Sequence, residues 1–449
     1  MDNRNLTLFP ERIVVAPRGD GPRRIDSTDS GPIRECILVT HPPHGYPARA
    51  PLAYMEPNTR RDVLRLAGAV GVAGLSGCLG GSGILSPDGS GSDGGTPTAT
   101  ATETAESPTS GGDGGDGADG TAPPASGEPP AEHPPVADDR MPVAYDFELL
   151  RKNVQSGGPP KDGIPSIDDP KFVSPSAGDE FLDPGDVVFG VAGEDDVKAY
   201  PQSILVWHEI VNDELDGSPV SVTYCPLTGT SLGFERGKTE FGVSGNLLNN
   251  NLVMYDRNTD SRWPQILGTA IRGGFEGQSL REFRLVWTTW DQWKSLHPDT
   301  VVLSERTGSA RNYDRDPYGM YNPKRGYYNS TRTLFPNLND DDRYKPKTVV
   351  MGARVPAGAI AFHKESLAEA GVLDGTIDGV TYTAVYDGRL DTAYVYRNPD
   401  DVAVSLDGET ASVDGGSHEP DALPLERVHA FDAMWFAWVG FYPETGVVE

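Results

Sequence analysis

Between Gly80 and about Pro135 the chain contains almost nothing but Gly, Ser, Asp, Thr, Pro, Ala and Glu, and no Phe, Trp or Tyr occurs from Leu85 until Tyr145. Such a segment cannot bury enough apolar surface to offset the entropy lost on ordering. Any core is therefore confined to the stretch from Met141 to Glu449, about 310 residues, enough for one large core or for two smaller ones sharing an interface. Residues 79–140 read as a stalk, averaging roughly 40 Å end to end as a coil and more if glycosylated or extended by like charges.

Upstream lies a secretory leader. Arg60 and Arg61 form its charged part, and Leu64 to Leu75 is an apolar run shorter than the roughly 20 residues that span a bilayer. Ser76 and Gly77 then precede Cys78. Thr59-Arg60-Arg61-Asp62-Val63-Leu64 resembles a twin-arginine export signal, and Leu75-Ser76-Gly77-Cys78 resembles a lipobox whose Cys thiol receives a lipid. Residues 55–78 are thus expected to engage the twin-arginine export machinery, with Cys78 as the lipid-bearing residue on the outer face of the cell membrane. Firm anchoring requires two chains or a diether lipid. Residues 1–54, Pro-, Arg- and His-rich, read as an upstream extension produced by a mistaken start, with Met55 as the true one.

The chain carries 66 acidic and 38 basic residues, a formal charge of −28, and only ten of the basic ones are Lys. An excess of hydrated carboxylates with Lys scarce suits a surface that must stay soluble where salt screens charge within a few Å, and points to a halophilic source. With no basic stripe to neutralise phosphates, nucleic acid is not an expected partner. Cys36 lies upstream of the signal and Cys78 within it, so the mature protein would carry Cys225 alone, unable to form an internal disulfide.

Short β-rich runs dominate the globular part. Asp186 to Val191 and Val197 to Tyr200 predict a hairpin, and Pro219 to Tyr224 alternates behind the turn signal Asp216-Gly217. Further strands are expected at Ser231–Glu235, Glu240–Ser244, Leu252–Tyr255, Val301–Ser304, Thr348–Ala353, Ala359–Phe362, Val380–Tyr386, Thr392–Arg397 and Leu425–Ala430. Helices are expected over Ser203–Asn212, from a capping box at Thr289-Trp290-Asp291-Gln292 to before Pro298, and over Glu365–Ala370 ahead of Gly371. The balance predicts a mainly β, α+β domain of mostly antiparallel strands over residues 141–449. The sequence shows no convincing repeat, no phosphate loop, no paired-Cys zinc pattern and no Gly-x-Ser-x-Gly elbow.

Several unusual strings occur in one order: Trp207-His208-Glu209-Ile210-Val211-Asn212-Asp213, Tyr224-Cys225-Pro226-Leu227-Thr228-Gly229-Thr230, Phe241 to Leu247, Leu252 to Arg257, Trp263-Pro264-Gln265 and Trp435-Phe436-Ala437-Trp438. In these the chain resembles the domain-of-unknown-function family numbered 3179. The resemblance covers most of the globular part and implies no established activity. Members often carry a second Cys where this chain has Thr228, so a Cys-x-x-Cys redox pair is not implied here.

Three constellations could carry chemistry. Cys225, ending a strand before Pro226, is expected at a sheet rim, where His208 could serve as its base. Cys225, His208, Met254 and His363 or His429 also form a soft-ligand set suited to copper, although blue-copper spacing is missing and no firm metal site follows. The bland alternative is a buried Cys and a His bonded to a carbonyl. Ser244, Asn246, Asn249, Asn250, Asp256, Arg257, Trp263 and Gln265 could line a polar cleft, with Arg257 clamping an anion and Trp263 stacking on a ring, or could equally be an ion-paired hairpin and a core Trp. Trp287, Trp290, Trp293, Trp435 and Trp438 admit sugar stacking, but three-residue spacing favours one buried helix face. The expectation is a lipid-anchored protein binding a small, unidentified ligand in that polar cleft. A Cys225/His208 thiol enzyme or copper-type protein is the alternative, and a structural envelope protein the third.

Overall fold

A computed structural model describes residues 131–449. The leader, Arg60, Arg61, Cys78 and most of the stalk lie outside the described residues. The domain is mainly β, and among the described residues no helix is long and apolar enough to cross a membrane. Residues 131–140, expected as the end of the stalk, lie on the domain instead. Ala131 O accepts from Lys238 N, and Ala137 N donates to Ser279 O. These are backbone bonds, which composition does not reveal.

The fold is a duplication, correcting the expectation of no repeat. Each copy begins with a hairpin, Val187–Ala192 with Val197–Pro201 in the first and Val349–Val355 with Gly358–His363 in the second. A helix of about two turns follows (Gln202–His208; Lys364–Ala370), then a three-strand meander. The meanders are Ile210–Leu215, Ser218–Cys225 and Thr230–Glu235, against Val372–Ile377, Val380–Asp387 and Thr392–Asn398. Each copy closes with a strand, a helix and a strand. These are Val286–Thr289, Trp290–Leu296 and Val301–Leu303, and again Ala430–Met434, Trp435–Phe441 and Gly446–Val448.

Registers agree residue for residue. Gly190 faces Ala199 and Val286 as Gly352 faces Ala361 and Phe431, and Cys225 faces Thr230 as Asp387 faces Thr392. In both copies the last strand joins parallel to the hairpin's second strand, and the other pairings are antiparallel. The Asp216-Gly217 and Asp378-Gly379 turns both take positive φ, as a tight two-residue hairpin requires. The closing helices repeat one packing device: Trp293 Nε1 donates to Thr300 Oγ1 at 2.9 Å and Trp438 Nε1 to Thr445 Oγ1 at 3.0 Å. Each ring lies flat on a glycine of the hairpin, so a Cβ on Gly190 would stand 2.4 Å from Trp293 and one on Gly352 2.3 Å from Trp438. The copies embrace reciprocally: Ala430–Met434 packs on Thr230–Glu235, and Val286–Thr289 on Thr392–Asn398.

Local expectations fare differently. The hairpins, the Thr289 cap and the Gly371 stop appear as expected. The helix expected to run to Asn212 ends at His208, because Glu209 turns left-handed (φ 60°) and Ile210–Leu215 pairs as a strand. Val372–Ile377 and the Trp435–Phe441 helix were not expected. Both lack polar alternation because one is a partly covered strand and the other is buried all round.

Each copy also carries an extra antiparallel meander before its closing strands. In the first it is Phe241–Leu248, Asn251–Asp256 and Arg262–Pro264, and in the second Val404–Asp407, Thr410–Val413 and Gly416–His418. A connector, residues 304–348, with only short bridges and one turn of 3-10 helix (Tyr327–Asn329), runs between the copies.

Candidate functional site

The residues expected to form a polar cleft are turned inward and satisfy one another. Asn249 and Asn250 make the two-residue turn of their hairpin at positive φ, and their amides grip the connector. Asn250 bonds Phe335 N and O at 2.8 Å each, while Asn249 bonds Leu338 N and Gly440 O. Gln265 sits at the centre of a wholly buried network with Thr223, Thr230 and Asn251, in which every amide group has a partner. Ser244 bonds Val253 O, and its neighbour Asn246 borders the bulge at Gly245. Asp256, fully buried, closes its own turn by accepting from Thr259 and Ser261 and from Trp263 Nε1 at 3.1 Å. Arg257 is held by Asp168, Glu240 and Ser166, so the anion it was expected to clamp is the protein's own. The cleft is absent here because Ser244, Asn249, Asn250, Asp256, Arg257, Trp263 and Gln265 found partners within the fold.

The thiol constellation is also taken apart. Cys225 is fully buried, not at an open rim, since the 249–250 turn covers the strand end, and its Sγ lies 3.7 Å from Asn250 O. His208 has both ring nitrogens engaged at 2.8 Å, Nδ1 with Pro165 O and Nε2 with Tyr313 OH. Burial pushes its pKa down to about 4, against the raising effect of the Pro165 carbonyl. A neutral imidazole with both nitrogens occupied is no base for Cys225. Among the described residues no group of three or more His, Cys, Asp or Glu side chains is arranged to hold a metal. Met254 is a core residue, His363 caps a helix and stacks on Tyr344, and His429 Nδ1 lies 3.0 Å from Glu282 Oε2. Trp290, Trp293, Trp435 and Trp438 are core.

Trp287 is different. It borders a cavity of about 450 Å³ where the first copy, the connector and the second copy meet, a size suited to a small ligand. One wall is Trp287 with Tyr321 of the connector, ring centres 4.7 Å apart. Opposite stands Lys364, the first residue of its helix, whose Nζ lies 3.2 Å from Asp432 Oδ2 on the strand Ala430–Met434. Asp432 is 6% exposed, and its Oδ1 has no hydrogen-bond partner among the described residues. Burial pushes its carboxyl up and Lys364 only partly holds it down. Asp391, in the turn after Val380–Asp387, accepts from Tyr386 OH at 2.6 Å, and Lys324 also lines the cavity. The cavity is thus lined by two lysines, the Asp391 and Asp432 carboxyls and an aromatic wall. That set can hold a small molecule carrying charge of both signs.

The family model described as "Protein of unknown function (DUF3179)" matches residues 161–445. The chain belongs to the DUF3179 family. No curated protein and no solved structure matches it. The DUF3179 match spans both copies, so the duplication and the cavity between them lie within the family domain. Of the cavity residues, sequence reasoning singled out only Trp287 and His363, each for another role. One signal did point there: in a DUF3179 chain with only ten Lys, two of them, Lys324 and Lys364, line one cavity.

Proposed function

We propose that this DUF3179 domain is a small-ligand-binding module held outside the cell membrane by a lipid on Cys78 after twin-arginine export. The observation that carries the binding reading is a cavity of ligand size lined by Lys364, whose ammonium keeps donors free beyond its bond to Asp432, and by the Trp287 and Tyr321 rings. The aromatic wall would supply apolar contact area. The export reading rests on the Arg60-Arg61 and Cys78 signals, and the halophilic reading on the acidic surface.

The test is to purify the protein from its own cells in concentrated salt, denature it, and identify released small molecules by mass spectrometry, beside an Ala368→Trp variant that fills the cavity. A compound near one equivalent with the wild type and absent from the variant supports the reading, and equal contents reject it. Mass analysis of the N-terminal peptide tests the anchor: a lipid-bearing peptide starting at Cys78 is expected, and a Cys78→Ala protein should lose it.

A further inference from the structure

The duplication supplies a second view of the cavity. Its lining residues Lys364, Asp391 and Asp432, with Tyr386 bonded to Asp391, have as counterparts Gln202, Gly229, Trp287 and Tyr224 in the first copy, by the strand registers that relate the copies. In the first copy the corresponding place is filled by the chain itself. Asp316 and Tyr328 of the connector lie against Gln202, whose Nε2 is 2.9 Å from Asp316 Oδ2, 3.3 Å from Tyr328 OH and 3.2 Å from Tyr224 OH. Tyr328 OH also donates to Asp316 Oδ2 at 3.0 Å. What occupies the first site is therefore a carboxylate beside a phenol. The second site has no such plug and is the cavity.

We propose that the cavity of the second copy binds a small aromatic carboxylate bearing a hydroxyl or amino donor, occupying the place that Asp316 and Tyr328 take in the first copy. This rests on the small-ligand reading above and narrows it. The carboxylate goes to Lys364 Nζ, which has donors left after Asp432 and makes a charge-assisted bond where Gln202 makes a neutral one. The ligand's ring lies on Trp287 and Tyr321, which line the cavity, and its donor takes the place of the Tyr328 hydroxyl. Asp432 stands at the position of Trp287 in the first copy, so the smaller side chain occupies that place in the second.

The probes are 4-hydroxybenzoate and L-tyrosine, with 4-hydroxybenzamide and glucose as uncharged controls, measured by calorimetry in concentrated KCl on the folded protein. Carboxylate probes should bind at least 10-fold more tightly than the amide. Lys364→Gln, which installs the first copy's residue, should remove that preference while keeping the fold, and Lys171→Met, on a distant exposed lysine, should change nothing. Equal binding of benzoate and benzamide, or a carboxylate preference that survives in Lys364→Gln, overturns the proposal. So does failure of every carboxylate to bind. If a released compound is nonetheless lost from Ala368→Trp, the broader reading survives that failure; if nothing is lost there either, both fall.

Discussion

Glu282 and Arg354 form a two-pronged ion pair between the copies, with Nη1–Oε2 at 2.7 Å and Nη2–Oε1 at 2.6 Å and both side chains out of solvent. Arg354 Nε also reaches Ile266 O and Tyr442 OH, so the guanidinium is enclosed by acceptors. Burial raises the Glu282 carboxyl, but Arg354 and His429 overcome this and hold it at about 2. Removing one partner strands a buried charge. Arg354→Met should cost about 3–5 kcal/mol in denaturant unfolding, whereas the double change Glu282→Leu with Arg354→Met should recover much of that. A double variant as unstable as the sum of the singles would contradict this account.

The glycine and tryptophan device makes a paired prediction. Gly190→Ala and Gly352→Ala each push a methyl into an indole ring that cannot retreat, because its Nε1 is tied to Thr300 or Thr445. Each should destabilise by about 1–3 kcal/mol. Thermal unfolding of the two variants should show similar losses, and a loss at one position alone would mean the copies are not packed alike.

His208 sets an acid limit. Its folded pKa of about 4 lies below the ordinary 6.5, so the unfolded chain binds the proton more readily. The stability it contributes is present above pH 6.5 and is lost as the pH falls toward 4, by about 3 kcal/mol. Glu282 acts in a lower window, between 4.5 and about 2. Urea midpoints between pH 7 and 4 should fall for the wild type and fall less for His208→Gln; parallel curves would remove His208 from the effect.

Cys225 should behave as a core residue. With the side chain fully covered, a water-soluble disulfide reagent should label it far more slowly than an unfolded-peptide thiol. Labelling should become rapid in denaturant, and rapid labelling under native conditions would restore the rim position expected from Pro226.

Much of the local structure was legible. Asp216-Gly217 marked its turn, Thr289 its cap and Gly371 its stop, because each depends on backbone geometry that few residue types satisfy. The duplication shows in Trp290-x-x-Trp293 with Pro298 and Thr300, repeated as Trp435-x-x-Trp438 with Pro443 and Thr445, and in scattered identities such as Gly190 with Gly352, Asp216-Gly217 with Asp378-Gly379 and Tyr224 with Tyr386. At other positions the side chains differ: Cys225 corresponds to Asp387 and Trp287 to Asp432. Either residue of such a pair can end or continue a strand, so the shared backbone leaves little trace in residue identity.

The polar residues gathered in Ser244 to Gln265 show the opposite failure. Their types suit a binding site, but a polar side chain serves a ligand only if the fold leaves it without a partner. Asn249, Asn250 and Gln265 were claimed by backbone and side chains elsewhere in the chain, whereas Asp432 is partnered at one oxygen alone.

The sequence by itself determined where a core could form, through the composition of residues 79–140, and which strands and turns that core would contain, through alternation and turn chemistry. The tertiary structure alone decided that those strands form two interlocked copies, that Cys225 and His208 are spent on packing, and that Lys364 and Asp432 face an open space. Strand and turn preferences act between neighbours along the chain. Burial and hydrogen-bond satisfaction are set by residues from about a dozen to nearly two hundred positions away, and those partners meet only once the chain has folded.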